Sequence, residues 1–434
     1  MASVEKANCV EAAVIEYRLS HRGTCNFAYR DVWGPRERSM ANPWSSDNPD
    51  GTVILHLAEN SLLHEEMGVF IKTQINVLPT DHLTYSTGPR DSRRLRRAAA
   101  AFLSEEFQSQ SQVTADDLFI TSGIASAIDA VAWAVCNEGV GILVPRPFYN
   151  GFQFDTLNRS NARLVGIAYE GIQGYSGLDD LFHPEVNSRA LEAAYRKATK
   201  EGISPKETLI VFAGFRGRHS LHFISDEIYA LSVFSNPAIQ TPIPFISTLA
   251  LGLDDPIDPT LHHVLHGASK VFCGNGLGIV YTKNQGMIGA MPSIRQRMHA
   301  FMRKKTRLME ENLRIATSFF RERGIPYYET NSSLFIWIDL RHLFISGTRS
   351  KTLPSNKSDA DYTTLQNISS ESQASIYQES ETRITDACAK NGVMIAPGSG
   401  DMPEEYGWFR ITFTVPKEML MEGLKRFWRA LEEV

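Results

Sequence analysis

The sequence predicts an α/β fold with a mainly parallel central sheet between two layers of helices, and a small α+β domain at the carboxyl end. Short apolar runs alternate with stretches whose apolar residues have helical spacing, which is typical of such a sheet. The 434 residues exceed what one hydrophobic core usually serves. Hydrophobic residues make up 43% and charged residues 21%, so the composition is that of an ordinary globular protein.

Local patterns predict the individual elements in order. An amphipathic helix is expected over 91–107, because apolar residues recur at helical spacing after an aspartate. The other expected strands are 51–60, 117–123, 139–147, 162–169, 221–229 and 262–270, and the other expected helices are 124–136, 189–202 and 292–324. A helix, two strands and a last helix are expected between 383 and 433. We find no internal repeat.

The chain is expected to divide into a large and a small domain. Residues 1–50 are interpreted as an amino-terminal arm with a helix of the small domain, 51–310 as the large domain and 311–434 as the small domain. Within the small domain, residues 346–382 are dense in Ser, Thr, Asn and Asp and poor in large apolar groups. Such a composition predicts a mobile surface insertion.

Charge and cysteine usage exclude several classes of protein. Lys plus Arg total 44 against 49 for Asp plus Glu, so no basic excess indicates a nucleic acid or an anionic membrane as partner. The five cysteines are scattered and odd in number, which favours a reducing compartment. No secretory signal and no long apolar run are found, so we expect a cytoplasmic protein.

One pair of histidines has the spacing of metal ligands. His262 and His266 lie four residues apart, which would suit a metal if the segment were helical. The segment has the pattern of a strand, and no acidic residue accompanies it, so we interpret both as structural histidines and expect no metal.

Two predicted strands end in side chains suited to chemistry on a ring-shaped ligand. Asp226 ends one strand with Tyr229 three residues later, and Lys270 follows another apolar segment. A carboxylate can hold a ring nitrogen protonated, and a phenol can donate to a ring oxygen. A lysine buried on a sheet is costly unless it is paired or used covalently. Taken singly, such an aspartate is more often a strand-end cap and such a lysine a surface residue.

These residues belong to an ordered series of motifs. The series is LAENSLL (57–63), TYSTGPRDSRRLRRA (84–98), VPRPFYNGFQFD (144–155), SDEIYALSVF (225–234), GASK (267–270) and GWFRITFT (407–414). The series resembles fold-type I enzymes that use pyridoxal phosphate, in particular the class I/II aminotransferases. Within them it is most similar to the aminocyclopropane-carboxylate synthase branch and its relatives in fungal secondary metabolism. Apart from the insertion at 346–382, the resemblance extends from about residue 20 to the carboxyl end.

The resemblance implies pyridoxal phosphate as cofactor and assigns roles to residues of this chain. Lys270 would bind the cofactor aldehyde covalently and then move the α-proton of the substrate. Asp226 would keep the ring nitrogen protonated, and Tyr229 would hydrogen-bond the phenolic oxygen of the ring. The remaining cofactor contacts would come from the ring of Tyr149, the backbone of Ile124 and Ala125 at the phosphate, and the hydroxyl of Ser269.

The resemblance also assigns three residues on the substrate side. Arg410 matches the arginine that binds the substrate α-carboxylate, a task suited to a planar group donating two hydrogen bonds. Glu59 matches a substrate-side glutamate of the synthase branch. Tyr85 matches a tyrosine that reaches the site of the neighbouring subunit, which implies a homodimer.

Two elements of the family pattern are missing. Relatives carry an arginine about eight residues beyond the lysine that forms a salt bridge to the cofactor phosphate, and that place is Gly278 here. Relatives also carry a strand that ends in an Asn-Pro-rich turn, whereas here Ser204 meets Pro205 directly. By resemblance, residues 205–223 match the helix that follows this strand, which we favour. Their β-branched apolar residues would alternatively supply the missing strand.

The resemblance leads to an enzyme that acts on an amino acid or an amino-acid-derived metabolite. Transamination is the general expectation, and β- or γ-elimination, including carbon–sulfur cleavage or an aminocyclopropane-carboxylate synthase-like reaction, is the alternative. A second alternative is a degenerate family member with weak or no activity, because two cofactor contacts are lost. A third is that the sequence derives from an imperfect gene model.

Overall fold

The structure is a computed structural model of the chain. It describes residues 40–75, 92–157, 159–203, 205–208, 221–242, 244–253, 258–272, 276–290, 302–344, 370–401 and 405–434. The predicted arm therefore lies outside the described residues up to residue 39, and so do Tyr85 and the first part of the predicted insertion, 346–369.

The strands and helices follow one another along the described chain. The strands are β1 (Val53–Ile54), β2 (Leu118–Thr121), β3 (Gly141–Pro145), β4 (Arg163–Ile167), β5 (Pro205–Thr208), β6 (His222–Asp226), β7 (His262–Gly267), β8 (Gly278–Thr282), β9 (Phe335–Asp339), β10 (Val393–Met394), β11 (Ala396–Pro397) and β12 (Trp408–Thr412). The α-helices are α1 (His64–Ile75), α2 (Arg93–Glu106), α3 (Ile124–Val135), α4 (Gly151–Leu157), α5 (Pro184–Lys200), α6 (Ala268–Val271), α7 (Gln285–Ala290), α8 (Met302–Glu322), α9 (Ser370–Lys390) and α10 (Lys417–Glu432).

The chain forms two compact units. The first contains the described residues within His64–Leu231 and Pro244–Ala300, and the second contains those within Arg36–Leu63, Ser232–Ile243 and Phe301–Val434. The first unit thus carries β2 to β8 with α1 to α7, and the second carries β1, β9 to β12 and α8 to α10.

The first unit is built on a seven-stranded sheet in the order β2–β8–β7–β6–β5–β3–β4. The pairs from β7 to β4 are all parallel, and β8 runs antiparallel to both of its neighbours. The carboxyl ends of β2, β3, β6 and β7 consequently lie along one edge of the sheet, which we call the carboxyl edge. This sheet confirms the predicted α/β fold with a mainly parallel centre.

Helices cover both faces of this sheet because neighbouring residues of a strand point to opposite sides. In β8, Val280 packs in one core with residues of α3, whereas Ile279 and Tyr281 pack in another with residues of α2. Leu143 of β3 packs in a third cluster with residues of α5. The strands are therefore buried on both faces, which explains their nearly continuous apolar sequences.

The second unit combines a small antiparallel sheet with three long helices. Its three-stranded sheet has the order β11–β12–β9, and β1 pairs in parallel with β10. The helix, strands and last helix expected near the carboxyl end are present as α9, β10 to β12 and α10.

The structure corrects two expectations. The preferred helix over 205–223 is wrong where the chain is described, because Pro205–Thr208 is a strand, β5, that pairs with β3 and β6. Residues 209–220 lie outside the described residues. The position between β3 and β6 decides the structure here, because a gap would leave the backbone groups of both neighbours without partners.

The predicted insertion also extends too far toward the carboxyl end. Residues from Ser370 onward form α9, whose Ile384 and Cys388 are fully buried. The density of Ser, Thr, Asn and Asp over 346–382 had predicted a surface insertion, whereas its last residues belong to a helix in which Glu381 is buried together with Ile384 and Cys388.

Candidate active site

The ends of two adjacent parallel strands bring an aspartate and a lysine to the carboxyl edge. Asp226 is the last residue of β6 and lies opposite Leu265 of β7. The strand β7 ends at Gly267, and the short helix α6 that follows carries Ser269 and Lys270, both partly buried. Lys270 is close enough to Asp226 to lower the pKa of its carboxyl group.

The carboxyl group of Asp226 has little compensation for its charge. Its Oδ1 accepts a hydrogen bond of 3.2 Å from the backbone N–H of Ile228. Burial is the largest effect on its pKa, which rises to about 6, with further raising by Glu227 and Asp155. The attraction of Lys270 does not cancel this rise. A ligand with a cationic N–H would stabilise the ionised carboxylate at this place.

The neighbouring residue, Glu227, anchors the turn that holds Asp226 and Tyr229. Its carboxylate accepts hydrogen bonds from Ser247 Oγ at 2.6 Å and from the N–H and Oγ1 of Thr248 at 2.9 and 2.8 Å. From β7, Nδ1 of His266 donates to the backbone carbonyl of Glu227 at 2.9 Å. The partly buried Tyr229 follows in the same turn. Glu227 and His266 thus position the residues that follow Asp226.

The histidines of β7 behave as structural groups. His262 is buried, and its Nε2 lies 3.0 Å from Oγ1 of Thr248. His266 is almost fully buried and lies between the rings of Phe102 and Phe107. Within the part of the chain that the structure describes, no group of three His, Cys, Asp or Glu side chains could hold a metal ion.

A second carboxylate lies near Asp226 on α4. Burial and the nearby Asp129 raise the pKa of Asp155 to about 6. The Oδ2 of Asp129 accepts a 2.6 Å hydrogen bond from Nε of Arg159. No sequence motif singled out Asp155, although it ends the stretch 144–155 that contains Tyr149.

The ring of Tyr149 lies at the carboxyl edge after β3 and is 52% exposed. It meets the ring of Phe152 edge-on, with centroids 5.5 Å apart. A Cβ at Gly151 would lie 2.2 Å from Cε1 of Tyr149, so the glycine leaves room for the tyrosine ring. The position is suited to stacking on a flat ligand.

The start of α3 lies at the carboxyl edge, directly after β2. Gly123 precedes the helix with φ 85°, a conformation that favours glycine, and the first helical residues are Ile124 and Ala125. A Cβ at Gly267 would lie 3.9 Å from Cβ of Ile124, so the start of α3 is beside the segment that leads to Lys270. The first N–H groups of a helix have no acceptor within the helix and attract anions.

Arg410 and Glu59, to which the resemblance assigns roles on the substrate side, belong to the second unit. Arg410 lies in β12 between Trp337 of β9 and Ala396 of β11. Its guanidinium lies 4.8 Å from the centre of the Phe335 ring, and Nη2 donates a 3.3 Å hydrogen bond to the carbonyl of His56. The side chain of Glu59 is exposed, and its backbone carbonyl accepts from Thr414 Oγ1 at 2.9 Å.

The first unit therefore brings together most of the residues assigned from the sequence. Asp226, Tyr229, Ser269 and Lys270 follow β6 and β7, Tyr149 follows β3, and Ile124 and Ala125 begin the helix after β2. This arrangement suits a planar ligand with a protonated ring nitrogen at the Asp226 end and an anionic group at the α3 end. Tyr85 lies outside the described residues.

A family model and several proteins of known name are similar to this chain. The model of aminotransferase class I and II matches residues 52–427. A probable aminotransferase, gliI, of Aspergillus fumigatus is 26% identical, with 94% of each chain covered. A 1-aminocyclopropane-1-carboxylate synthase of Arabidopsis thaliana, number 11, is 25% identical over 88% of this chain and 84% of its own.

A mouse protein is also 25% identical, over 98% of this chain and 73% of its own, and is named a probable inactive 1-aminocyclopropane-1-carboxylate synthase-like protein. Among solved structures, aspartate aminotransferase from Thermus thermophilus with maleate has a TM-score of 0.62 at 14% identity, covering 95% of this chain and 99% of that one. The aromatic aminotransferase of Pyrococcus horikoshii has a TM-score of 0.60 at 15% identity, covering 92% and 98%. These likenesses confirm the fold.

Proposed function

Because the chain belongs to the aminotransferase class I and II family, and is therefore a pyridoxal-phosphate-dependent enzyme, we propose that it moves the amino group of an amino acid or amino-acid-derived metabolite through Lys270. The observation that carries the assignment of the site is the proximity of Asp226 and Lys270, which follow the adjacent parallel strands β6 and β7. The resemblance to fungal secondary-metabolism enzymes supports a reaction in such a pathway.

The residues at the carboxyl edge fit the cofactor. Asp226 is a partly buried carboxylate whose ionised form a protonated ring nitrogen would stabilise, and the start of α3 is a place for the phosphate. Tyr149 would cover one face of the ring. The hydroxyl groups of Tyr229 and Ser269 would donate hydrogen bonds to the cofactor. When bound, pyridoxal phosphate supplies a ring that stabilises negative charge on the α-carbon of the substrate.

The protein's own residues would hold the cofactor in place and move the α-proton of the substrate. Lys270 would hold the cofactor covalently, and its Nζ, once released, would take the α-proton of the substrate and could return it to another atom. Asp226, whose pKa is about 6, would be ionised above that pH and would keep the ring nitrogen of the cofactor protonated. Glu227 and His266 fix the turn that presents Asp226 and Tyr229.

The roles on the substrate side are carried over from the resemblance. We assign the substrate α-carboxylate to Arg410, whose guanidinium can donate two parallel hydrogen bonds, and a substrate-side role to Glu59. A homodimer in which Tyr85 reaches the site of the partner, the division into domains at 51–310 and 311–434, and a cytoplasmic location are parts of the same proposal. No helix among the described residues has the length and apolar character needed to cross a membrane.

Elimination is the second candidate function. The likeness to a 1-aminocyclopropane-1-carboxylate synthase supports it, and elimination starts with the same proton removal by Lys270. A non-catalytic member is less favoured, although a similar protein is named probable inactive, because Asp226, Tyr229, Lys270 and Arg410 are all retained.

An absorbance titration tests the proposal. Purified protein is titrated with pyridoxal phosphate, and we expect the visible absorbance of lysine-bound cofactor, which Lys270→Ala removes. The control is Lys283→Ala, since Lys283 pairs with Asp117 at the far end of β8 and should leave the band unchanged. Absence of the band in all three proteins would exclude the proposed function. Assays for keto acid, ammonia and thiol then separate transamination from elimination.

A further inference from the structure

Three strands place small residues side by side at the end where the cofactor phosphate would lie. Gly278, the first residue of β8, lies opposite Thr121 of β2 on one side and Gly267 of β7 on the other. We call Thr121, Gly123, Gly267 and Gly278, together with the start of α3, the phosphate end. Gly278 is also the position at which relatives would carry the phosphate-binding arginine.

The packing at Gly278 leaves no room for a side chain. A Cβ there would lie 2.3 Å from Oγ1 of Thr121 and 2.5 Å from the backbone oxygen of Gly123. The second distance involves the backbone that begins α3, so it cannot be relieved by rotating a side chain. An arginine at this position would push away the helix start that receives the phosphate.

No other cation is supplied by this part of the sequence. Between Lys270 and Lys283 there is neither lysine nor arginine, and Lys283 is engaged with Asp117 at 2.9 Å. The first two residues of α3, Ile124 and Ala125, contribute backbone N–H groups but no side-chain donor. The positive end of a helix dipole corresponds to roughly half an elementary charge, whereas an arginine brings a full charge and up to two hydrogen bonds to one phosphate.

We propose that the segment after Lys270, which contains neither lysine nor arginine up to Lys283, leaves the cofactor phosphate weakly held, so that cofactor retention depends on the covalent bond to Lys270. This inference rests on the proposed function. In transamination starting from lysine-bound cofactor, the amino donor would be oxidised to a keto acid whose oxygen comes from one water molecule, the cofactor carbon bonded to Lys270 would be reduced to the amine, and the lysine would be released as a free amine. The protein then holds pyridoxamine phosphate by non-covalent contacts alone and releases it to the solvent.

The consequence differs between the two candidate reactions. An elimination restores the lysine–cofactor bond in each turnover, so cofactor stays bound. A transamination leaves the amine form once per cycle, so its rate depends on the concentration of free cofactor. Loss of one charged hydrogen bond lowers affinity by about tenfold to a hundredfold, which is enough to turn a resident cofactor into an exchanging one.

Binding of the free cofactor forms tests the inference without any substrate. Apo-protein is loaded separately with pyridoxal phosphate, pyridoxamine phosphate and pyridoxamine, and dissociation constants are measured by calorimetry and retention by dialysis. We expect pyridoxal phosphate to be retained and pyridoxamine phosphate to be lost. Equal retention of both phosphorylated forms would overturn the inference while leaving the proposed function intact. If pyridoxal phosphate itself does not bind, the proposed function fails.

A matched pair of variants restores the cation. Gly276 is exposed, a Cβ there would meet nothing within 4 Å, and its Cα lies 4.0 Å from where a Cβ of Gly123 would be. Gly276→Arg and Gly276→Gln share the same backbone strain at φ 104° and differ in charge. We expect the arginine variant to bind pyridoxamine phosphate about tenfold to a hundredfold more tightly than the glutamine variant, with pyridoxamine unchanged. Equal affinities would contradict the inference.

Discussion

The two ends of the cofactor site in the first unit are built very differently. At the nitrogen end, formed by Asp226, Glu227 and Tyr229, the carboxylate of Asp226 follows β6, and the neighbouring Glu227 is fixed by hydrogen bonds from Thr248 and His266. The phosphate end is a tight row of small residues, and between Lys270 and Lys283 the sequence supplies it with neither lysine nor arginine. The chain has therefore kept the charge that makes the ring reactive and lost the charge that would retain it. Reactivity and retention are separable properties of this fold.

The largest expected effect comes from replacing Lys270, which is needed both for the reaction and for cofactor retention. Lys270→Ala removes the covalent bond and the proton-transferring amine, so activity should fall by about a thousandfold or more. Because the phosphate end is weak, this variant should also lose cofactor on dialysis. Activity assays and cofactor content measured by absorbance check both outcomes. A variant that keeps its cofactor would show that the phosphate end binds strongly by itself.

The next effect separates chemistry from stability at the nitrogen end. Asp226→Asn should lower activity by roughly a hundredfold, because an amide cannot keep the ring nitrogen protonated. The same change should raise the free energy of unfolding of the apo-protein at pH 7 by about 1–3 kcal/mol, since a buried carboxylate no longer has to ionise.

The pH dependence of stability follows with a definite sign. The pKa of Asp226 is raised from 3.8 to about 6 in the folded protein, so its contribution to stability is present below pH 3.8 and is lost as pH rises through about 6. Glu227, Lys270 and Asp155 act on the same carboxyl group. Asp226→Asn should flatten the dependence of the free energy of unfolding on pH between pH 3.8 and about 6, measured by chemical denaturation of the apo-protein. An unchanged slope would mean that Asp226 ionises freely.

A smaller effect is expected from closing the space at the phosphate end. Gly278→Ala should lower the free energy of unfolding by about 1–3 kcal/mol, because its Cβ meets the backbone of Gly123. Gly68→Ala in α1 is the matched control, since a Cβ there meets nothing within 4 Å and alanine favours the helix by up to about 1 kcal/mol. Equal stability of the two variants would contradict the close packing at Gly278.

The smallest effect concerns the ring that covers the cofactor. Gly151→Ala should displace the Tyr149 ring and weaken cofactor binding by about threefold to tenfold. Stability should change by less than about 0.5 kcal/mol, because the ring is 52% exposed and can turn away. Fluorescence titration with pyridoxal phosphate measures the loss. Tyr149→Phe keeps the stacking ring, and an equally large loss in that variant would argue against displacement as the cause.

Much of the first unit was predictable because its strands are buried on both faces and end in recognisable motifs. Asp226, Tyr229 and Lys270 are in short ordered patterns at strand ends, and parallel strands bring such ends to one edge. The strand β5 was only the alternative expectation for 205–223, because Pro205–Thr208 carries no apolar pattern and its place between β3 and β6 is a property of the whole sheet.

Other features depend on contacts that sequence patterns do not contain. The SDEIY motif contains Glu227 but does not indicate its role. That role follows from the hydrogen bonds that Ser247 and Thr248 donate to its carboxylate. From the sequence, Gly278 is only the position at which relatives carry an arginine. The short distance from a Cβ at this position to the backbone of Gly123 shows that a side chain has no space there. Asp155 has no motif of its own, and its effect on Asp226 arises from packing.

The most direct test of the central claim is to trap the lysine–cofactor bond. Protein incubated with pyridoxal phosphate is treated with borohydride, which reduces that bond to a stable amine, and is then digested and analysed by mass spectrometry. We predict one cofactor adduct, on the peptide that contains Lys270, and its absence in Lys270→Ala. An adduct on a different lysine at equal yield, or no adduct on the Lys270 peptide, would contradict the assignment of this site.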